Sequence, residues 1–245
     1  MNRSRPARDI RRPIRVERND DAYPASVKAF FGERAPECIF LQGNPELLQR
    51  DSLGLFCSIK CPGSIILKTY DVAKALRDSG IPVIGGFHTP MEKECLALLL
   101  RGAQPIVICP ARGLERIRLA REVKEGVQAG RVLLVSMFGT AHRRARAELA
   151  DQRNRFVAAL AARIFVSHAA PGGKTEALCR EIITLGKPLF TIDAPENTNL
   201  LALGAKALAV EKIFVLGEKD SRRISPGILP RLAHTTPCSL WQKPS

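Results

Sequence analysis

From Leu53 onward the chain alternates short apolar runs with longer stretches in which apolar residues recur every three or four positions. The short runs are Leu55–Ile59, Ile81–Ile84, Pro105–Cys109, Val132–Ser136, Arg163–Ser167 and Pro188–Ile192, each of strand length and bounded by Gly, Pro or polar residues. Between them the spacing predicts helices over Ile65–Arg77, Met91–Arg101, Leu114–Gln128, Ala141–Ala162 and Thr175–Leu185. In the first of these Ile66, Tyr70, Ala73 and Leu76 share one face, and Gly80 stands where a left-handed residue ends a helix. Strands that are apolar throughout, separated by helices of about 12 residues, indicate parallel strands covered on both sides. The expected fold is α/β: a Rossmann-like, doubly wound, mostly parallel sheet with helices on both faces. Ahead of it the pattern predicts a short helix at Ala25–Phe31, a strand at Cys38–Leu41, a turn at Gly43-Asn44-Pro45 and a helical turn at Glu46–Gln49.

Length and charge divide the chain further. Its 245 residues suit one domain with extensions, long enough for a sizeable core. Seven arginines lie in the first eighteen residues, with no apolar stretch of a secretory signal. Residues 1–21 are expected to be a basic disordered arm, 22–217 the folded domain, and 218–245 a basic, Pro-containing tail. No apolar run approaches the roughly 20 residues of a membrane span, so no membrane partner is expected. The net charge of +14 points to a polyanionic partner, while aromatics at 5% exclude broad base stacking on aromatic platforms. Seven cysteines without a signal peptide read as reduced thiols in a cytoplasmic protein. Cys57 and Cys61 lack a second Cys or His pair at finger spacing, so neither a metal nor a cofactor is expected.

Ligands of an open parallel sheet bind outside the carboxyl ends of its strands. Three connections there carry unusual residues: Ser58–Gly63, Gly85–Glu94 and His168–Glu176. The last reads as strand, Gly turn, helix, which presents backbone N–H groups and the positive end of a helix dipole to a phosphate. The expected phosphate ligands are Ser58, Lys60, Gly85, Gly86 and His88 on the first two connections, and Gly172, Gly173, Lys174 and Thr175 on the third. A basic helix through Arg143, Arg144, Arg153 and Arg155 would add charge beside that turn, with Asn154 either bonding a phosphate or capping its own helix. Gly173-Lys174-Thr175 is similar to a P-loop, but the motif needs glycine where His168 stands. His88 with Glu92 and Glu94 forms a candidate acid–base set, though acids in a first helical turn are favoured by the dipole alone. No spacing establishes a Ser–His–Asp or Cys–His set, and no catalytic residue is assigned.

These residues resemble the DNA-processing protein A (DprA/Smf) family between about Tyr23 and Ala205. Phe40–Leu48 is similar to that family's approach to its first strand, and Val83-Ile84-Gly85-Gly86 to its second-strand turn. Arg153-Asn154-Arg155 with the apolar helix after it resembles the family's most recognisable block. Gly172–Ala177 stands in its Ser-Gly-Ser loop, and Asn197-Thr198-Asn199 in its Gly-Thr-Asn segment. Phe56-Cys57-Ser58 falls at its Gly-Ser-Arg turn, with Cys57 in place of glycine and Ile59 in place of the arginine. The resemblance implies a stand-alone, non-catalytic Rossmann-like domain that binds single-stranded DNA, with a recombinase as a further partner and a homodimer left open. The alternative is a nucleotide sensor or a phosphoribohydrolase acting on nucleoside monophosphates. Pro171–Glu176 is similar to the latter's Pro-Gly-Gly-x-Gly-Thr-x-x-Glu motif without its second glycine, and Glu176 would be the acid.

Overall fold

The apolar runs pair into one sheet. In the computed structural model, which describes residues 12–213, the strands are β1 (Ile14–Glu17), β2 (Cys38–Gly43), β3 (Leu53–Phe56), β4 (Val83–Gly85), β5 (Ile106–Ile108), β6 (Val132–Ser136), β7 (Arg163–Val166), β8 (Leu189–Thr191) and β9 (Lys206–Ala207). Among the described residues they form one nine-stranded sheet in the order β1-β2-β6-β5-β4-β3-β7-β8-β9. β2 runs antiparallel to both β1 and β6, and all other pairs are parallel.

The helices are α1 (Ala25–Phe31), α2 (Gly63–Asp78), α3 (Pro90–Leu99), α4 (Arg121–Gln128), α5 (Ala147–Leu160), α6 (Lys174–Thr184) and α7 (Thr198–Ala202). They bury apolar stripes on both faces of the sheet, as a parallel sheet requires. One core joins Val27, Phe156, Val157 and Ile182 of α1, α5 and α6 to Ile164 and Val166 of β7. The other joins Ile65, Leu76, Cys95 and Val127 of α2, α3 and α4 to Leu53, Leu55 and Phe165. The expected doubly wound, Rossmann-like sheet is therefore present.

The chain steps from β3 outward to β4, β5 and β6, then returns to β7 on the other side of β3. The connections after β3 and β7 therefore diverge across one crevice, the usual ligand position in such sheets.

Four boundaries differ most from expectation. Ile14–Glu17, assigned to a disordered arm, is a strand antiparallel to Cys38–Leu41; its four residues hold only one buried side chain, Val16, too short an alternation to stand out among arginines. β3 ends at Phe56 rather than Ile59, because Ser58 turns away to donate its N–H to His168 O at 2.9 Å. α4 starts at Arg121, not Leu114, since Gly113 donates to His142 O and Arg116 adopts φ 56°. α5 starts at Ala147, not Ala141, so Arg143 and Arg144 lie on an irregular connection, with the His142 carbonyl already engaged by Gly113. Residues 1–11 and the tail read from Glu218 lie outside the described residues. Among those described, no helix is long and apolar enough to cross a membrane.

Candidate nucleic-acid interface

Above the carboxyl ends of β3, β4 and β5 lies a cavity of about 450 Å³. Phe56, Cys57 and Ile59 form its β3 side, His88, Thr89 and Glu92 its β4 side, and Ala111 its β5 side. The start of α5 supplies Arg146, Ala147, Ala150 and Asp151, with Arg153 and Asn154 one turn on, and α6 supplies Lys174 and Thr175. Five of the expected ligands, His88, Arg153, Asn154, Lys174 and Thr175, thus share one wall-lined space. The remaining nine do not line it.

Local chemistry explains the division. α6 begins with a turn in which Gly172 adopts φ 68°, a left-handed conformation that disfavours residues with a Cβ. Both glycine amides expected to cradle a phosphate are already engaged: Gly172 donates to Glu176 Oε2 at 2.5 Å and Gly173 to Ala170 O at 3.0 Å. The connection after β4 is closed in the same way. Phe87, at φ 47°, tucks its ring beneath Gly85, and the amides of His88 and Thr89 donate to Glu92 Oε2 at 2.8 and 3.3 Å. Glu92 Oε1 accepts from Cys57 N at 3.0 Å, tying the β3 connection to the same carboxylate. Ser58 Oγ accepts from Ala170 N at 3.0 Å. These amides hold the loops together, while the first turn of α6 carries no side-chain cap.

Glu92 is 4% exposed and holds two loops with one carboxylate while closing a capping box with Thr89. The candidate acid–base set of His88, Glu92 and Glu94 is replaced by this structural role: Glu92 engages His88 through the backbone N–H, and Glu94 accepts from Tyr70. His168 is likewise structural, its Nδ1 meeting Asn197 Oδ1 at 2.9 Å while Asn197 Nδ2 donates to Ser167 O and Ile192 O.

Arg153 is 4% exposed, not a free surface cation. Its guanidinium lies under Gly86, where an added Cβ would sit 1.8 Å from Nη1. Nη1 donates to Cys109 O at 3.1 Å and Nε to Asn154 Oδ1 at 2.8 Å. Burial pulls its pKa below the usual arginine value, offset in part by the charge of Glu92. Asn154 therefore neither caps its helix nor waits free; it steers Arg153.

Lys174 bonds Asp151 at 2.6 Å, and Arg155 bonds Glu181 at 2.9 Å. Arg155 faces a smaller cleft of about 150 Å³ that adjoins the cavity through Asp151, Asn154 and Lys174. Lys60, Arg143 and Arg144 are exposed, and none is ion-paired among the described residues. Three residues at the cavity were not among the expected ligands: Glu92, read only as part of an acid–base set, Arg146 and Ile59. Ile59 is 74% exposed at the rim, an apolar side chain held in water with no core to explain it.

Both carboxylate oxygens of Glu176 accept hydrogen bonds, Oε2 from Gly172 N and Oε1 from Arg180 Nη2, an arrangement that favours the ionised form. The Gly172 N–H first, then Arg180 and Asn199, hold its carboxyl below the usual range against the opposing effect of burial. A carboxylate with a depressed folded pKa stabilises the fold above its unfolded value, near 4.5, and that contribution is lost as pH falls through the lower folded value. Glu176→Gln is expected to reduce the melting temperature at neutral pH, with the difference from wild type shrinking in thermal melts taken at progressively more acid pH. A difference that stays constant into acid would show the charge of Glu176 to be irrelevant.

Among the described residues no group of three or more His, Cys, Asp or Glu is placed to hold a metal ion. Cys57 and Cys61 are a thiol pair, the hydrogen bond with Cys61 and then burial pushing the Cys57 thiol up.

A doubly wound sheet with an arginine-backed cavity above its central strands is a Rossmann-like architecture. The profile of the DNA recombination-mediator protein A family matches residues 15–215, and the chain belongs to that family. It is similar in fold to the X-ray structure of DNA processing protein A from Streptococcus pneumoniae, at 18% identity and a TM-score of 0.69, covering 84% of this chain and 75% of that one. DNA processing protein A from Helicobacter pylori, whose structure describes a single-stranded DNA binding mode, gives 18% identity and a TM-score of 0.66, covering 85% of this chain and 96% of that one. The chain has no match among curated proteins.

Proposed function

We propose that the protein binds single-stranded DNA non-catalytically and receives part of the strand at the cavity above β3 and β4. The observation that carries this reading is the make-up of the cavity. Phe56, Ile59, Ala111, Ala147 and Ala150 form an apolar lining, Arg146 and Lys174 stand at its edge, and Arg153 is buried behind it. Apolar surface suits a base or sugar and the arginine and lysine suit phosphate oxygens, a pairing typical of single-strand sites. Two acids, Glu92 and Asp151, also line it; the first is consumed by three backbone N–H groups and the second by Lys174.

The carboxylates in reach are thus engaged, which favours binding over hydrolysis of a nucleotide. The Helicobacter pylori relative's single-stranded DNA binding supports the same choice of ligand.

Arg146→Ala with Lys174→Ala is expected to weaken binding of a short oligothymidylate at least about tenfold and to reduce the salt slope by about 1.4, two phosphate contacts' worth on a single strand. Ala147→Trp, which fills the cavity without touching charge, is expected to abolish short-strand binding at unchanged melting temperature. Fluorescence anisotropy over a salt series reads both. Wild-type affinity in both variants would falsify the assignment, and stabilisation by nucleoside monophosphates but not by oligonucleotides would move it to a small-nucleotide site. A recombinase partner and a homodimer belong to the same proposal. Failure to co-elute with purified recombinase on DNA removes the first, and a monomeric mass by light scattering removes the second.

A further inference from the structure

Two connections at the carboxyl edge of the sheet carry arginines that the cavity does not use. One links β5 to α4 (109–120) and the other links β6 to α5 (137–146). They are built against each other. Gly113 N donates to His142 O at 2.9 Å, Ser136 Oγ donates to Arg112 O at 2.7 Å, and a Cβ on Gly113 would lie 2.6 Å from Gly139 O. Phe138, 4% exposed, anchors the pair from below, with its ring 5.5 Å from that of His142.

On this joint surface Arg116, Arg118, Arg143 and Arg144 are all exposed, and none is ion-paired among the described residues. Some exposed arginines take carboxylates, Arg15 with Glu17, Arg121 with Glu125 and Arg155 with Glu181, and others, Arg34, Arg50 and Arg101, stand unpaired one at a time among the described residues; here four unpaired ones fall on two abutting connections. The second connection contains no acid at all, and the first only Glu115. Like charges held on two abutting loops repel one another, and a polyanion relieves that repulsion. The near ends of the same connections, Ala111 and Arg146, are walls of the cavity, so the two surfaces are continuous.

We infer that these paired loops form a phosphate track that carries the strand beyond the cavity along the β5–β6 side of the sheet edge. The inference rests on the proposed single-strand reading and extends it to a second surface. Arginine forks match phosphate oxygens, so contacts here are with the backbone and independent of sequence.

The test compares a short oligothymidylate, long enough only for the cavity, with a long one, using the full chain. The track variant carries Arg116→Ala, Arg118→Ala, Arg143→Ala and Arg144→Ala. An equal-charge control carries Arg50→Ala, Arg101→Ala, Lys206→Ala and Lys212→Ala, all exposed and outside both connections. The track variant is expected to lower the long-strand salt slope by about three, four contacts at roughly 0.7 each, and to leave short-strand binding unchanged. The control is expected to move neither. If the track variant leaves the long-strand slope at the wild-type value, the inference is overturned and the arginines pass to an acidic protein partner. Equal losses in track variant and control overturn it too, because net charge then explains the effect. Failure of the cavity reading is distinct, since it appears as unchanged short-strand binding in the Arg146/Lys174 variant.

Discussion

Glu92→Ala is expected to lower the melting temperature by about 10 °C, the largest loss from any single substitution at the site. Its carboxylate accepts from the backbone amides of Cys57, His88 and Thr89, all at or near the floor of the cavity. Alanine strands these donors and removes a carboxylate whose charge supports the buried Arg153 guanidinium. Breaking such a buried charged arrangement costs about 3–5 kcal/mol, and for a domain of this size each kcal/mol is worth about 2–4 °C. Glu92→Gln, which keeps the volume but turns one acceptor into a donor facing other donors, is expected to fall between wild type and alanine. Calorimetry decides it: a shift below about 2 °C for the alanine variant would mean that the two loops hold their shape without this carboxylate.

Gly86→Ala is expected to abolish most oligonucleotide binding while leaving a folded protein. The new Cβ would overlap the Arg153 guanidinium, 1.8 Å from Nη1 and 2.0 Å from Cζ, and the guanidinium is the end of a side chain that can swing away. Expulsion loses the bonds to Cys109 O and Asn154, a cost of about 1–3 kcal/mol partly repaid by re-solvation of the charge. Affinity is expected to fall roughly tenfold to a hundredfold, the range for one charge-assisted hydrogen bond. Because the glycine acts only through Arg153, Gly86→Ala combined with Arg153→Ala should bind no worse than Arg153→Ala alone. Additive losses in that cycle, measured by anisotropy with melting temperatures as a check on folding, would assign the glycine a separate role.

Arg153-Asn154-Arg155 illustrates how far sequence reasoning reached and where it stopped. The triplet was legible as part of a site because its charges interrupt an apolar helix beside a Gly turn. Its three members nevertheless do three different things: Arg153 is buried beneath Gly86, Asn154 steers it, and Arg155 leaves for Glu181. Only helical phase relative to the sheet separates those fates, and one hundred degrees of rotation per residue divides a buried position from a solvent one. The two arginines at Arg143 and Arg144 show a different limit. Their Ala- and Arg-rich context has the composition of a helix, yet His142 O bonds Gly113, a residue on another connection, and the helix starts at Ala147 instead.

The succession of strands and helices from Leu53 to Thr191, the covering of both sheet faces and the carboxyl edge at which the Gly turns gather are written in the linear chain. They depend on apolar periodicity, and periodicity records which face of a local element meets the core. Ownership of the backbone amides at that edge is not written there. Glu92 reaches Cys57, Ser58 reaches Ala170, and Gly113 reaches His142 across long intervals of sequence, so which donors remain for a ligand is settled only when the strands have packed side by side. The Gly turns looked like phosphate cradles because glycine reports backbone freedom. The folded chain spends the N–H groups of Gly172 and Gly173 on its own Glu176 carboxylate and Ala170 carbonyl.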